Sequence, residues 1–264
     1  MRPDLALATF GRLTVRNLVR SVCCAAVLAS PAAMAGVTGN AGVVSEYLFR
    51  GIEQSGGAAV QGGIDWAGDA GLYAGTWASN TGGPAASGGT ELDLYGGWTG
   101  KAGPLALDFG AIYYLYNEDE EDTGLSFDYP EIYAKVGFSY FAVQVYYSND
   151  YLGDANADAA DALGKDTDFL YLNLIGTFPL SDTLSLAVQV GNSSGEGAEV
   201  AWSATADEGY SDYSVSLTKT LDAGMAFSFG LYNTTLDAGD GFGTVPSDSD
   251  GIKAVVGLKK TFGI

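Results

Sequence analysis

Eight ionisable residues carry most of the chemistry this sequence offers: Glu46, Arg50, Asp65, Glu91, Asp93, Asp108, Lys135 and Lys253. Each lies in or beside a stretch where apolar and polar residues alternate, and each falls on the polar side. Side chains in a strand point alternately to opposite faces, so all eight are expected on one wall of a sheet. A charged wall around a lumen selects solutes by charge. Arg50 has two readings: a constriction residue, or a structural ion pair bracing a hairpin. With acids in excess, such a lumen is expected to favour cations or neutral polar solutes over anions.

Catalytic chemistry has little to draw on. The chain has no histidine, and its two cysteines, Cys23 and Cys24, fall in an N-terminal leader. Zinc-type His/Cys sites, a cysteine nucleophile and a histidine-based triad are therefore excluded. No isolated carboxylate pair stands out as an acid and base. The expectation is a protein that is not an enzyme and needs no cofactor.

Residues 1–35 have the make-up of a secretory signal peptide. Arg2, Arg12, Arg16 and Arg20 form a basic region, Val22–Leu28 is a short apolar core, and Ala33-Met34-Ala35 is a small-x-small cleavage site. The apolar run falls well short of the ~18–20 residues a spanning helix needs. Membrane insertion, if the chain is exported, must come from strands. Cleavage leaves 8 basic against 31 acidic residues, a balance of −23 compared with −20 for the full chain. That sign excludes nucleic acid as a partner. Arg50 is then the sole arginine, which also argues against a phosphate site built on guanidinium forks.

Twelve strands are expected, at 39–49, 58–67, 72–79, 90–99, 105–116, 128–138, 141–148, 167–178, 184–190, 210–220, 225–233 and 251–262. Met225, Phe227, Phe229 and Leu231 alternate with Ala226, Ser228 and Gly230, and Leu105, Leu107 and Phe109 with Ala106, Asp108 and Gly110. A soluble sandwich would alternate in the same way, so the connections decide. Every second gap is five residues or fewer, and every other gap is eight or more. Sandwiches have no reason to sort loops by parity. Membrane barrels do, because turns on the periplasmic side are short and loops on the outer side long. The fold class is therefore an all-β, transmembrane, up-and-down antiparallel β-barrel of about 12 strands over 36–264, following the leader.

Aromatics fit two interfacial belts. Trp66, Trp98, Phe138, Tyr140, Phe141, Phe178 and Phe262 lie beside the short turns, and Tyr47, Phe49, Trp77, Tyr116, Tyr147, Tyr151, Tyr210 and Tyr232 near the long loops. The long connections are acidic, with Glu118 to Asp122, the run Asp150, Asp154, Asp158, Asp161, Asp166 and Asp168, and Asp237, Asp240, Asp248 and Asp250. None has the Asp-x-Asp-x-Asp-Gly spacing of a dedicated Ca²⁺ loop. They read as solvated loops in loose contact with divalent cations. The expected partners are outer-membrane lipid, lipopolysaccharide and small polar solutes.

Three segments carry a resemblance. Ser45-Glu46-Tyr47-Leu48-Phe49-Arg50-Gly51-Ile52-Glu53-Gln54-Ser55, then Val60-Gln61-Gly62-Gly63-Ile64-Asp65, then Gly71-Leu72-Tyr73-Ala74-Gly75-Thr76-Trp77-Ala78-Ser79-Asn80 resemble the TorF-type porins, also known as the Gcw_chp family. The likeness is strongest over 39–116, with Glu46 standing where the pattern has Asp. It implies a Gram-negative outer-membrane barrel with a pore. Two functions remain open: passive diffusion of small polar or cationic solutes, or a non-conducting structural or adhesive barrel acting through its acidic outer loops.

Overall fold

Alternation decides which face each strand turns outward, and closure decides what that face meets. The computed structural model describes residues 36–82, 89–117, 126–202, 209–237 and 251–264. The leader at 1–35, the acidic stretch Glu118–Asp122 and Asp240, Asp248 and Asp250 lie outside them.

Among the described residues there are fourteen strands: β1 (Gly36–Val44), β2 (Leu48–Phe49), β3 (Ile52–Glu53), β4 (Ala59–Ala67), β5 (Leu72–Thr81), β6 (Gly89–Ala102), β7 (Leu105–Tyr116), β8 (Tyr129–Phe138), β9 (Phe141–Ser148), β10 (Phe169–Ser181), β11 (Leu184–Ser194), β12 (Tyr210–Thr220), β13 (Met225–Thr234) and β14 (Lys253–Gly263). Two helices, α1 (Gly153–Leu163) and α2 (Glu196–Trp202), sit in the β9–β10 and β11–β12 connections.

Twelve of the strands close into one antiparallel barrel, with β2 and β3 forming a separate small sheet. Neighbours in the barrel are consecutive along the chain. The circle closes where β1 pairs with β14 through Thr38↔Gly263 to Val44↔Gly257. Closure leaves no strand edge, the condition for crossing lipid with β structure. The fold class read from the alternation and the loop parity is the one observed.

The barrel is inverted relative to a soluble protein. Val43, Val60, Ile64, Leu94, Ile132, Leu174, Val190, Val215 and Val256 are exposed on the outer face. The inner face buries Tyr73, Tyr95, Tyr114, Tyr133, Tyr146 and Tyr171 with Glu91, Asp93, Asp108, Glu131, Lys135 and Asp212. A continuous apolar exterior around a polar interior is stable in hydrocarbon and would aggregate in water.

Short turns are built on left-handed residues. Gly71 (φ +86), Gly103 (φ +58), Ser139 (φ +55) and Ala223 (φ +57) each supply one. At Gly71 a Cβ would stand 2.1 Å from the Thr99 carbonyl oxygen, so the β4–β5 turn admits only glycine there.

Three sequence expectations need correction. The strand expected over 39–49 ends at Val44, and 48–49 belongs to β2, which turns inward. The connection at 149–166, read as a loop, carries α1: the run Asp-Ala-Asn-Ala-Asp-Ala-Ala-Asp-Ala-Leu is rich in good helix formers, and Gly164 (φ +69) ends it. The belt beside the long loops is also not a belt. Tyr47, Tyr151, Tyr210 and Tyr232 are buried inside, Phe49, Trp77 and Tyr116 pack against them, and Tyr147 alone of the eight is exposed on the outer face. At the short-turn rim, Trp66, Trp98, Phe138, Tyr140, Phe141 and Phe262 do face outward.

Candidate functional site: a hairpin latched across the lumen

The site begins where β1 ends. Ser45 leaves the wall but stays pinned to it, since its N–H donates to the Val256 carbonyl at 2.9 Å and its Oγ accepts from the Val256 N–H at 3.0 Å. The chain then folds into the barrel. Leu48 pairs with Glu53 and Phe49 with Ile52, while the Gln54 N–H donates to the Tyr47 carbonyl at 2.8 Å and the Tyr47 N–H to Ser55 Oγ at 2.8 Å. Leu48 and Tyr47 pack against Val44, Ala59, Tyr232 and Val255, so one side of the hairpin rests on the β1–β14 wall.

The tip is a two-residue turn with both central residues left-handed, Arg50 at φ +50 and Gly51 at φ +80. This is the primed-turn pattern whose twist matches a hairpin. Gly51 also has no room for a side chain, as a Cβ would lie 2.3 Å from Thr234 Cγ2 and 3.0 Å from Asp212 Cβ. Gly51→Ala is therefore expected to unseat the tip at a cost of roughly 1–2 kcal/mol for the left-handed backbone alone. Thermal unfolding in detergent measures it, and an unchanged midpoint would mean the tip is not held.

Arg50 has a Cβ and sits in the same strained region, so something must hold it there. Its Nη1 donates to Glu131 Oε1 at 2.7 Å and its Nη2 to Glu131 Oε2 at 2.8 Å. Glu131 lies on β8, five strands around a ring of twelve from β1, so the pair reaches across the lumen. Tyr114 Oη donates to Glu131 Oε2 at 2.9 Å. Four rings surround the guanidinium carbon: Tyr171 at 4.5 Å, Phe49 at 4.6 Å, Phe169 at 4.8 Å and Tyr146 at 5.2 Å. The planar fork thus meets a carboxylate at its edge and π faces around it, an arrangement lysine cannot reproduce. Burial opposes the charge on Arg50, but Glu131 outweighs it and keeps the guanidinium well above its usual value.

The remaining candidates form three further groups. At the long-loop rim, Lys253 Nζ donates to Glu46 Oε1 at 2.5 Å and to Glu53 Oε2 at 2.6 Å. Burial raises the Glu46 carboxyl above the ordinary range, while Lys253 pulls it back down. Deeper, toward the short turns, Lys135 Nζ is 3.5 Å from Asp108 Oδ2 and 4.8 Å from the centre of the Tyr133 ring. There Tyr73 Oη donates to Asp108 Oδ1 at 2.6 Å and also bonds Tyr133 Oη, and Tyr95 Oη donates to Asp65 Oδ1 at 2.5 Å. The third group is Glu91 with Asp93, both 1 % exposed, on β6 beside the hairpin stem.

Three inward acids escaped the sequence reading, Glu53, Glu131 and Asp212, and for the last two the signal was there. With Lys135 on the inner wall of β8, strand parity places Tyr129, Glu131 and Tyr133 on that wall as well. With Tyr213, Val215 and Leu217 outward on β12, Asp212 must be inward. It accepts from Tyr171 Oη at 2.9 Å and Gln189 Nε2 at 3.4 Å.

The helices complete the long-loop end. Asn156 Nδ2 on α1 donates to the Gly197 carbonyl on α2 at 3.1 Å, and Lys165 pairs with Glu199 at 2.6 Å. Trp202 Nε1 donates to Tyr151 Oη at 3.0 Å, and Tyr151 stacks on Phe169 with centroids 3.9 Å apart. Burial pushes the Tyr151 phenol up to about 12. A cavity remains between hairpin and helices, lined by Phe49, Tyr116, Tyr129, Tyr151, Trp202 and Tyr210 among others.

Comparison with solved structures places this geometry. The NanC porin superposes with a TM-score of 0.53 at 10% identity, covering 87% of this chain and 100% of that one. The KdgM porin gives 0.51 at 8%, covering 85% and 99%. At such identities the likeness is one of fold. No curated protein matches the sequence. The family model for the bacterial protein of unknown function Gcw_chp matches residues 28–262, nearly the whole chain, and the protein with the latched hairpin therefore belongs to the Gcw_chp family.

Proposed function

We propose that the protein is a porin-like channel of the outer membrane, narrow and crossed by its own first loop, through which small polar or cationic solutes diffuse passively. The observation that carries this reading is the contrast between the two faces of the barrel. The exterior is continuous apolar surface, while the interior buries charged groups and phenols around a hairpin held at its tip by one ion pair. A barrel with only a structural task could fill its lumen with apolar side chains, avoiding the desolvation of its buried charged and polar groups. Twelve strands lie between the eight whose side chains fill the interior and the sixteen that leave an open channel. One hairpin suffices to narrow that intermediate lumen.

The likeness to the NanC and KdgM porins supports the channel reading through fold alone. Residues 1–35 act as the export leader, and the apolar belt meets lipid and lipopolysaccharide. The TorF-type motif over 45–80 belongs to the same proposal. Inward acids exceed inward bases, since Glu46, Glu53, Asp65, Glu91, Asp93, Asp108, Glu131 and Asp212 face Arg50, Lys135 and Lys253. The excess disfavours anions.

Single-channel recording of the refolded chain in a planar bilayer tests both parts. Stepwise conductance with a reversal potential displaced toward the cation is the expected result. Anion preference overturns the selectivity. Silence from a folded barrel, with or without Arg50, transfers function to the acidic outer loops and the two helices that cover that rim.

A further inference from the structure

We infer that Glu91 and Asp93 form a binding site for a hard divalent cation, set in the barrel wall beside the stem of the inward hairpin. The inference stands apart from conduction, because a cation can hold the fold of a barrel that passes nothing.

Glu91 and Asp93 are two residues apart on β6, so both side chains leave the same face of the strand with Cα atoms ~7 Å apart. Each is 1 % exposed. Around them stand Tyr47, whose Oη donates to Glu91 Oε1 at 2.9 Å, and Tyr116, the register partner of Glu91 on β7, whose phenol also bonds Glu91.

The nearest guanidinium, Arg50, spends both Nη groups on Glu131. Lys135 faces Asp108, and Lys253 faces Glu46 and Glu53. None of the ion pairs among the described residues reaches Glu91 or Asp93.

A different kind of observation points to a ligand. Asp93 Oδ1 is a fully buried oxygen with no hydrogen-bond partner, on a carboxyl group that lies against that of Glu91. Two ionised carboxylates are both acceptors, so these two carboxyls are held against each other only by a shared proton or by a cation between them. A buried unpartnered acceptor costs about 1–3 kcal/mol and calls for a proton or a cation to meet it.

A divalent ion fits for two reasons. Its charge matches the two uncompensated carboxylates, so the buried site becomes neutral. The donors are hard oxygens, two anionic and two phenolic, which suit Ca²⁺ or Mg²⁺ rather than softer metals. No group of three acidic ligands occurs among the described residues, so neutral oxygens must complete the shell. Binding would also tie the hairpin stem to β6 through Tyr47, whose ring lies 5.4 Å from that of Trp77.

The proximity of Tyr47 and Trp77 supplies the test. The exported protein, stripped with chelator in detergent, is titrated with Tb³⁺ and its luminescence excited through these aromatics. The expected result is a saturable signal displaced by Ca²⁺, with affinity at least about tenfold weaker in E91Q/D93N, since even the loss of an outer-shell partner typically has that effect. Ca²⁺ should also raise the melting temperature of the wild type and not of the variant. Retained heat-modifiable mobility on a gel shows that the variant is folded, and D93N alone serves if the double variant is not. Equal Tb³⁺ and Ca²⁺ responses in wild type and variant would assign all binding to the acidic outer loops and overturn the inference. A wild type insensitive to Ca²⁺ would overturn it as well, leaving a proton in the cation's place.

Discussion

Arg50→Ala is expected to cost the barrel roughly 3–5 kcal/mol, the penalty of leaving a buried carboxylate without its partner. Glu131 has a side chain with 0% exposure, and the bond that remains to it, from Tyr114 Oη, does not neutralise it. The tip would also lose the four rings that enclose the guanidinium. Denaturant unfolding in detergent measures the loss. Removing both charges, with R50A/E131A, should recover most of it, because no uncompensated ion then stays buried. Arg50→Lys should recover little, since a point charge cannot fork onto both carboxylate oxygens. In a bilayer the same R50A protein should conduct more than the wild type, because the latch across the lumen is gone. A loss below about 1 kcal/mol, the range of an exposed pair, together with unchanged conductance would mean the hairpin does not depend on Glu131.

The second large effect lies on the opposite face. Val215→Arg is expected to destabilise the barrel by about 2–4 kcal/mol in a lipid bilayer, the cost of a cation on the lipid face near the midplane. Val215 is 46% exposed at the middle of β12, flanked in register by Val188 on β11 and Leu231 on β13. The chain itself shows that depth decides the cost. Lys219 is on the same face of the same strand but at the short-turn rim, where its Nζ donates to Thr183 Oγ1 at 2.6 Å. A V215R barrel that unfolds from lipid vesicles at the wild-type denaturant concentration would remove the argument that this surface meets hydrocarbon.

The two substitutions probe the two halves of one energetic problem. Outside, the barrel gains by removing apolar surface from water into lipid. Inside, it must bring charged groups out of water, and each needs a partner. Arg50 with Glu131, Lys253 with Glu46 and Glu53, and Lys135 with Asp108 are the partners found. Every such pair joins different strands or a strand and a loop, so the interior ties the circumference together while the backbone ladder closes it.

What sequence alone determined follows from short-range rules. A period of two assigns each side chain to a face, so Glu91, Asp93 and Asp108 were placed on one wall from their apolar neighbours Leu92, Leu94 and Phe109. Loop parity separated a barrel from a sandwich, because it reflects the direction of the chain and needs no knowledge of contacts. Tertiary structure decided what lies beyond the reach of such rules. Residues 45–49 read as the continuation of the first strand, yet the chain turns inward at Ser45. That choice depends on Glu131, 81 residues from Arg50, and on Thr234 and Asp212 around Gly51. The same holds for Tyr47, Tyr151 and Tyr210, whose sequence positions suit an interfacial belt and whose rings fill the lumen instead. An aromatic beside a long loop can satisfy itself in lipid or in protein, and only the closed circumference, with a hairpin and two helices to cover, settles which one is available.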